Sequence, residues 1–109
     1  MLASSKRISR RDFQKILENK GIFVVYNKLG TLKYLPSQSV MFAVVTSSRH
    51  EKSAVVRNKV RRRIYSLVQE LKPSIQGVFY VAKSSYQLSF QETKDLIIDV
   101  FTKAQKRTQ

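Results

Sequence analysis

Two apolar runs, Val40–Thr46 (VMFAVVT) and Val78–Ala82 (VFYVA), bracket one long stretch of helical periodicity, and this arrangement restricts the fold more than any other feature. Both runs are rich in β-branched and aromatic residues, as strands are. Between them, Val60, Ile64, Leu67, Val68 and Leu71 recur at three- and four-residue intervals, one apolar stripe on a helix. Ser53 can cap that helix before Ala54, and Pro73 and Gly77 bound its end near Leu71. Strand, long helix, strand requires a crossover connection and hence a parallel strand pair. Val40–Thr46, apolar on both pleat faces, is expected to be a central strand.

The flanking segments add layers to this unit. Ile22–Tyr26 reads as another strand, and Asn27–Ser39, holding Gly30 and Pro36, as a hairpin-like connection that can carry one more strand within 30–39. Upstream, Ser9 can cap a short helix with Phe13, Ile16 and Leu17 on one face, closed by Gly21. Downstream, Ser89 and Glu92 form a capping box before a final helix from Phe90 to about Gln105. Phe90, Ile97, Val100, Phe101 and Ala104 line its inner side, and Asp95 and Asp99 point away. The expected fold class is α+β, a mixed sheet of about four strands covered by helices in a single domain spanning residues 1–109.

Charge narrows the function. Lys and Arg number 21 against 7 Asp and Glu, a formal charge of +14, so self-repulsion opposes compaction unless a polyanion neutralises it. Nucleic acid or an anionic membrane surface could do so. The chain has no cysteine, which excludes disulfides, thiolate metal sites and a thiol nucleophile, and its single histidine, His50, cannot build a metal site alone. With no run near 18 apolar residues and no apolar signal core, a soluble, cytoplasmic protein is expected, with no membrane partner. Asp95 and Asp99, one turn apart, are the only paired carboxylates and read as a solvated helix face, so no active site borne by the protein is inferred.

The cations concentrate in KSAVVRNKVRRR, residues 52 to 63, where no acid appears between Glu51 and Glu70. At about 100° per residue, Asn58 and Arg62 lie opposite the apolar stripe, with Arg57 and Arg61 on one flank and Lys59 and Arg63 on the other. Each pair is separated by about one helical pitch, roughly 5.4 Å, which is comparable to the phosphate spacing of a nucleic-acid strand. Arginine forks donate two parallel bonds to a phosphate, and Asn58 offers both a donor and an acceptor to a base edge or 2′-hydroxyl. A solvated face normally mixes signs, and the aliphatic stripe is needed to cover the strands and is not free for lipid.

RNKVRR, preceded by AVV and set between two apolar strands, resembles the RNR signature of the bacterial ribonuclease P protein component. The likeness runs from about residue 5 to 105: a basic N-terminal helix with DF, a strand with FVVY, the signature helix and an ETK-type final helix. It implies an α/β sandwich with a left-handed βαβ crossover. It further implies the protein subunit of a ribonucleoprotein that removes the 5′ leader of precursor tRNA, one protein per RNA, with catalysis and most Mg²⁺ binding carried by the RNA subunit.

By the same resemblance, Arg57, Asn58, Lys59, Arg61 and Arg62 face the ribonuclease P RNA, Arg63 beside them on the same helix is also expected to bind RNA, and Lys83 matches a commonly basic position. Phe13, Leu17, Phe23, Tyr26, Arg10 and Arg11 fall in segments that bind the leader. The chain departs from the family at SSRHEKSA, residues 47 to 54, where Lys52 replaces a usual glycine. Tyr65 stands where a basic residue is usual, and Arg63 where an apolar one is. A noncatalytic ribosomal or other RNA-binding protein with a similar basic helix is the alternative reading, and a standalone metal-dependent ribonuclease a third.

Overall fold

The computed structural model describes residue 18 and residues 21–36, 41–73 and 75–108. Four strands, β1 (Phe23–Tyr26), β2 (Gly30–Pro36), β3 (Met41–Val45) and β4 (Ile75–Val81), form one sheet in the order β1-β2-β4-β3. The basic helix, Ala54–Leu71, connects β3 to its parallel neighbour β4, and β1-β2 and β2-β4 are antiparallel. A 3₁₀ turn, Lys83–Gln87, leads to the final helix, Phe90–Thr108. The fold is α+β with a mixed four-stranded sheet. The connection after β1 does hold a strand, β2. The expected N-terminal helix, with Arg10, Arg11, Phe13, Ile16 and Leu17, lies outside the described residues.

Local signals set the helix ends. Ser53 is extended, and its hydroxyl accepts the Val56 amide at 3.3 Å. At the other end Lys72 turns left-handed (φ 47°) and donates to the Val68 carbonyl, and Pro73 prevents continuation. The final helix opens on a reciprocal capping box: Glu92 donates its amide to the Ser89 hydroxyl at 3.2 Å, and its carboxylate accepts the Ser89 amide at 3.3 Å.

Both helices pack on one face of the sheet. Leu32, Tyr34, Phe42 and Phe79 meet Ile64, Leu67 and Val68 of the basic helix and Ile97 and Val100 of the final one, all buried. At about 25 cal/mol per Å² of apolar area removed from water, this layer is the main source of stability. Across that face one row runs Phe23, Tyr34, Gly77, Phe42. A Cβ at Gly77 would sit 2.9 Å from Leu32 Cδ1 and 3.1 Å from Tyr34 Cβ, so the glycine makes space between two aromatic neighbours.

Four expectations are corrected. Val40–Thr46 does not yield a central strand: β3 is an edge, because β2 occupies the other side of β4. Apolarity on both faces cannot reveal how many neighbours a strand has. Tyrosines cover that edge, with the Val44 amide donating to the Tyr65 hydroxyl and the Ser47 amide to that of Tyr86, each at 3.0 Å. Gly77 lies inside β4 and does not bound the helix. Leu71, at the last helical residue, is exposed, and Tyr65 is buried. Phe90 is exposed too, and Thr93 is buried with its hydroxyl bonded to the Ser89 carbonyl.

Candidate nucleic-acid interface

The basic helix presents its cations asymmetrically. Asn58 and Arg62 are exposed on the crest, as expected for residues opposite the apolar stripe, and Lys59 is exposed beside them. Arg57 and Arg61 are half-buried on one flank, where Arg61 Nη2 donates to the Thr46 hydroxyl at 2.8 Å just beyond β3. Arg63 leans the other way and donates to the Leu88 carbonyl at 3.3 Å, ahead of the final helix. The Nε atoms of Arg57 and Arg61 are shielded from solvent without a hydrogen-bond partner. Among the described residues no carboxylate pairs with any of these cations, and the ion pair found there, Lys103–Asp99 at 3.1 Å, is on the final helix. Uncompensated like charges one turn apart weaken a helix by a few tenths of a kcal/mol per pair, which core packing here offsets.

The turn before the helix closes without a glycine. The Ser47 carbonyl accepts the amides of His50 and Glu51, and the Glu51 carboxylate accepts the Ser53 amide at 3.0 Å. Among the described residues Lys72 is the one non-glycine with positive φ, so Lys52 occupies backbone that any residue can adopt. Tyr65 departs from a basic side chain because its position is buried and its hydroxyl serves the β3 edge. Arg63 takes an apolar position by reaching a backbone carbonyl at the helix flank.

The sheet's other face carries a second pattern. Registers align Tyr26, Thr31, Tyr80 and Val45 in one row across all four strands, and Val24, Lys33, Val78 and Ala43 in the next. Tyr26, at one end, is 71% exposed. Lys33 Nζ lies 5.6 Å from the centroid of the Tyr80 ring, a cation–π distance. Burial raises the Tyr80 hydroxyl above its ordinary pKa by disfavouring the phenolate. Two aromatic rings and a lysine on one pleat face can take unpaired bases and a phosphate.

Phe23 does not join this row. It points to the helix-covered face and stacks on Tyr34 at 5.5 Å between centroids, so grouping it with Tyr26 is corrected. Three residues apart on a strand, the two must face opposite ways. Lys33 and Tyr80 were missed. β4 was already legible as a strand, so the parity of Tyr80 within it was available; Lys33 lay in a segment read as a connection. Lys83 is exposed at the start of the 3₁₀ turn, whose Tyr86 holds the loop after β3. Arg10, Arg11, Phe13 and Leu17 lie outside the described residues.

Asp95 and Asp99 are engaged on the final helix. Asp99 accepts from Asn27 Nδ2 at 3.0 Å and pairs with Lys103, and these contacts, that of Asn27 foremost, hold its pKa below the usual range. Asp95 accepts from Gln91 at 2.9 Å. Among the described residues no three His, Cys, Asp or Glu side chains converge on a point that could hold a metal ion, and no helix is long and apolar enough to cross a membrane.

A mixed four-stranded sheet with one cationic crossover helix defines a basic α+β domain. The chain belongs to the ribonuclease P protein family, whose model, Ribonuclease P, matches residues 2–105. Its fold is similar to that of the Staphylococcus aureus RNase P protein, with a TM-score of 0.79 at 19% identity over 91% of this chain and 94% of that one. A mutant of the Staphylococcus aureus protein superposes with a TM-score of 0.81 at 18% identity, covering 93% and 89% of the two chains. The Thermotoga maritima RNase P protein gives 0.75 at 16% identity, covering 89% and 96%. At these identities the likeness speaks to the fold. No curated protein matches the sequence.

Proposed function

We propose that this chain is the protein subunit of ribonuclease P, binding the catalytic RNA through its basic helix and the 5′ leader of precursor tRNA across the second face of its sheet. The observation that carries this reading is a helix of cations unpaired with any carboxylate among the described residues, together with the row headed by the exposed Tyr26, in a chain of the ribonuclease P protein family. The row Tyr26–Thr31–Tyr80–Val45 ends beside Thr46, and Thr46 holds Arg61 of the basic helix.

In this reading the RNA subunit carries the cleavage chemistry and most of the Mg²⁺, and Asp95 and Asp99 are bonded to side chains of their own helix and of Asn27. The protein's work is positional and electrostatic. Arg57, Arg61 and Arg62 neutralise phosphates, which lowers the Mg²⁺ needed to bring leader and RNA together. Tyr26 and Tyr80 stack unpaired bases without demanding a sequence, which suits leaders that vary. One protein per RNA, acting in the cytoplasm, completes the reading.

The test is cleavage of precursor tRNA by a bacterial ribonuclease P RNA at low Mg²⁺ and moderate salt, with and without the protein. Stimulated release of the leader is expected. No stimulation with a cognate RNA, or cleavage by the protein alone, would overturn the reading.

A further inference from the structure

The groove between the basic helix and the start of the final helix sets exposed apolar side chains beside a row of cations. Val55, Lys59, Arg62 and Ser66 follow one another at intervals of four, three and four along the helix, and Arg63 and Phe90 close the other wall. The cavity is about 430 Å³, on the scale of a single small ligand. Phe90 is 47% exposed and Val55 75%, two of the large apolar side chains that folding leaves in water. Three cations and no carboxylate stand beside them.

Another apolar groove carries much less charge. It lies between the end of the basic helix and the final helix, where Pro36, Leu71, Ile98 and Phe101 gather around a lone cation, Lys72. Exposed apolar surface by itself therefore does not bring charge with it. At Phe90 the aromatic ring, the cations and a hydroxyl are assembled together, and the Arg63 bond to the Leu88 carbonyl ties its guanidinium to the loop that delivers the ring. Glu92, the nearest acid in sequence, is occupied by the Ser89 amide.

We propose that this groove is a pocket for one unpaired nucleotide of the RNA partner, its base stacked on Phe90 and its flanking phosphates on Lys59 and Arg62. This rests on the reading that the basic helix faces RNA. A base inside a duplex has both faces covered by its neighbours, so only an unpaired one can present a face to the ring. Val55 supplies the apolar edge of the seat, and the Ser66 hydroxyl can bond a base edge or a 2′-hydroxyl. Such a pocket makes the basic helix selective for an RNA that displays a looped-out base at the right place, beyond its general attraction to phosphate.

The chain has no tryptophan, so Phe90→Trp introduces a single indole, and Ile98→Trp in the other groove serves as its control. Both are titrated with a bacterial ribonuclease P RNA and with a fully paired RNA duplex. Quenching at position 90 by the ribonuclease P RNA, little by the duplex and none at position 98, is expected. Phe90→Ala should weaken binding of that RNA by about 5- to 150-fold with an unchanged salt slope, as for a lost stack, while Phe90→Tyr retains affinity. Normal wild-type binding combined with unchanged emission at position 90, or with Phe90→Ala within about twofold of wild type, overturns this inference alone. Wild-type protein that fails to bind the RNA overturns the underlying reading as well.

Discussion

Arg61 donates to the hydroxyl of Thr46 at 2.8 Å, and Thr46 directly follows Val45, the end of the row that begins at Tyr26. One side-chain bond thus ties the cationic helix to the end of β3, the edge strand that contributes Val45 to the row on the sheet's other face. Arg61→Ala should reduce the salt slope of RNA-subunit binding by about one unit, because one phosphate contact is lost. Arg61→Lys keeps the charge and the slope. Binding measured from low to moderate salt checks both; an unchanged slope in the alanine variant would mean that Arg61 serves Thr46 and touches no phosphate.

Tyr26 and Phe23 should behave oppositely. Tyr26→Ala is expected to leave stability within about 0.5 kcal/mol and to weaken leader-bearing precursor by about 1 to 3 kcal/mol more than mature tRNA. Phe23→Ala, which removes the ring stacked on Tyr34, should lower unfolding stability by about 1 to 3 kcal/mol. Urea unfolding paired with substrate affinities separates the two. Equal loss of precursor and mature tRNA in Tyr26→Ala would remove Tyr26 from the leader site.

Gly77→Ala adds a methyl group 3.1 Å from Tyr34 Cβ, an atom so near its backbone that it cannot swing aside, and 2.9 Å from the buried Leu32. Overpacking of about 1 to 3 kcal/mol is expected, read as a lower urea midpoint with an unchanged m value. A neutral result would show that the sheet shifts there at little cost.

Tyr34 sets an alkaline limit. Burial raises its folded pKa above the ordinary value, outweighing the opposing pull of Arg107, and its hydroxyl donates to the Ala104 carbonyl at 2.9 Å. The unfolded state therefore loses this proton first. The contribution is fully present below the unfolded pKa, about 10, and is lost as pH rises through the folded value. Tyr34→Phe should cost about 1 kcal/mol at neutral pH and make the decline of stability above about pH 10 shallower. Thermal midpoints followed from pH 7 upward check the slope; parallel curves for variant and wild type would refute it.

Much of the fold is legible in the sequence because its signals are local. The basic helix runs from Ala54 to Leu71, where Ser53, the apolar period and Pro73 place it, and Ser89 with Glu92 starts the final helix at Phe90. Asn58 and Arg62 reach the crest because helical angle alone puts them opposite Val60 and Leu67. Period-two alternation likewise separates Phe23 from Tyr26, a signal present in FVVY that the family likeness obscured. Phe90 is harder, because position along the helix predicts a side, and exposure depends on whether another element reaches that far.

Sequence by itself determined the helix boundaries, the caps, the charge and its concentration on one helix, since each depends on residues a few positions apart. Tertiary structure alone decided the strand order, which makes β3 an edge and puts Tyr26 and Tyr80 in one row. Those outcomes rest on β2 pairing with β4, segments separated in the chain by β3 and the basic helix. Backbone hydrogen bonds between such distant segments carry no local signature, and which face the helices then cover follows from packing the whole sheet at once.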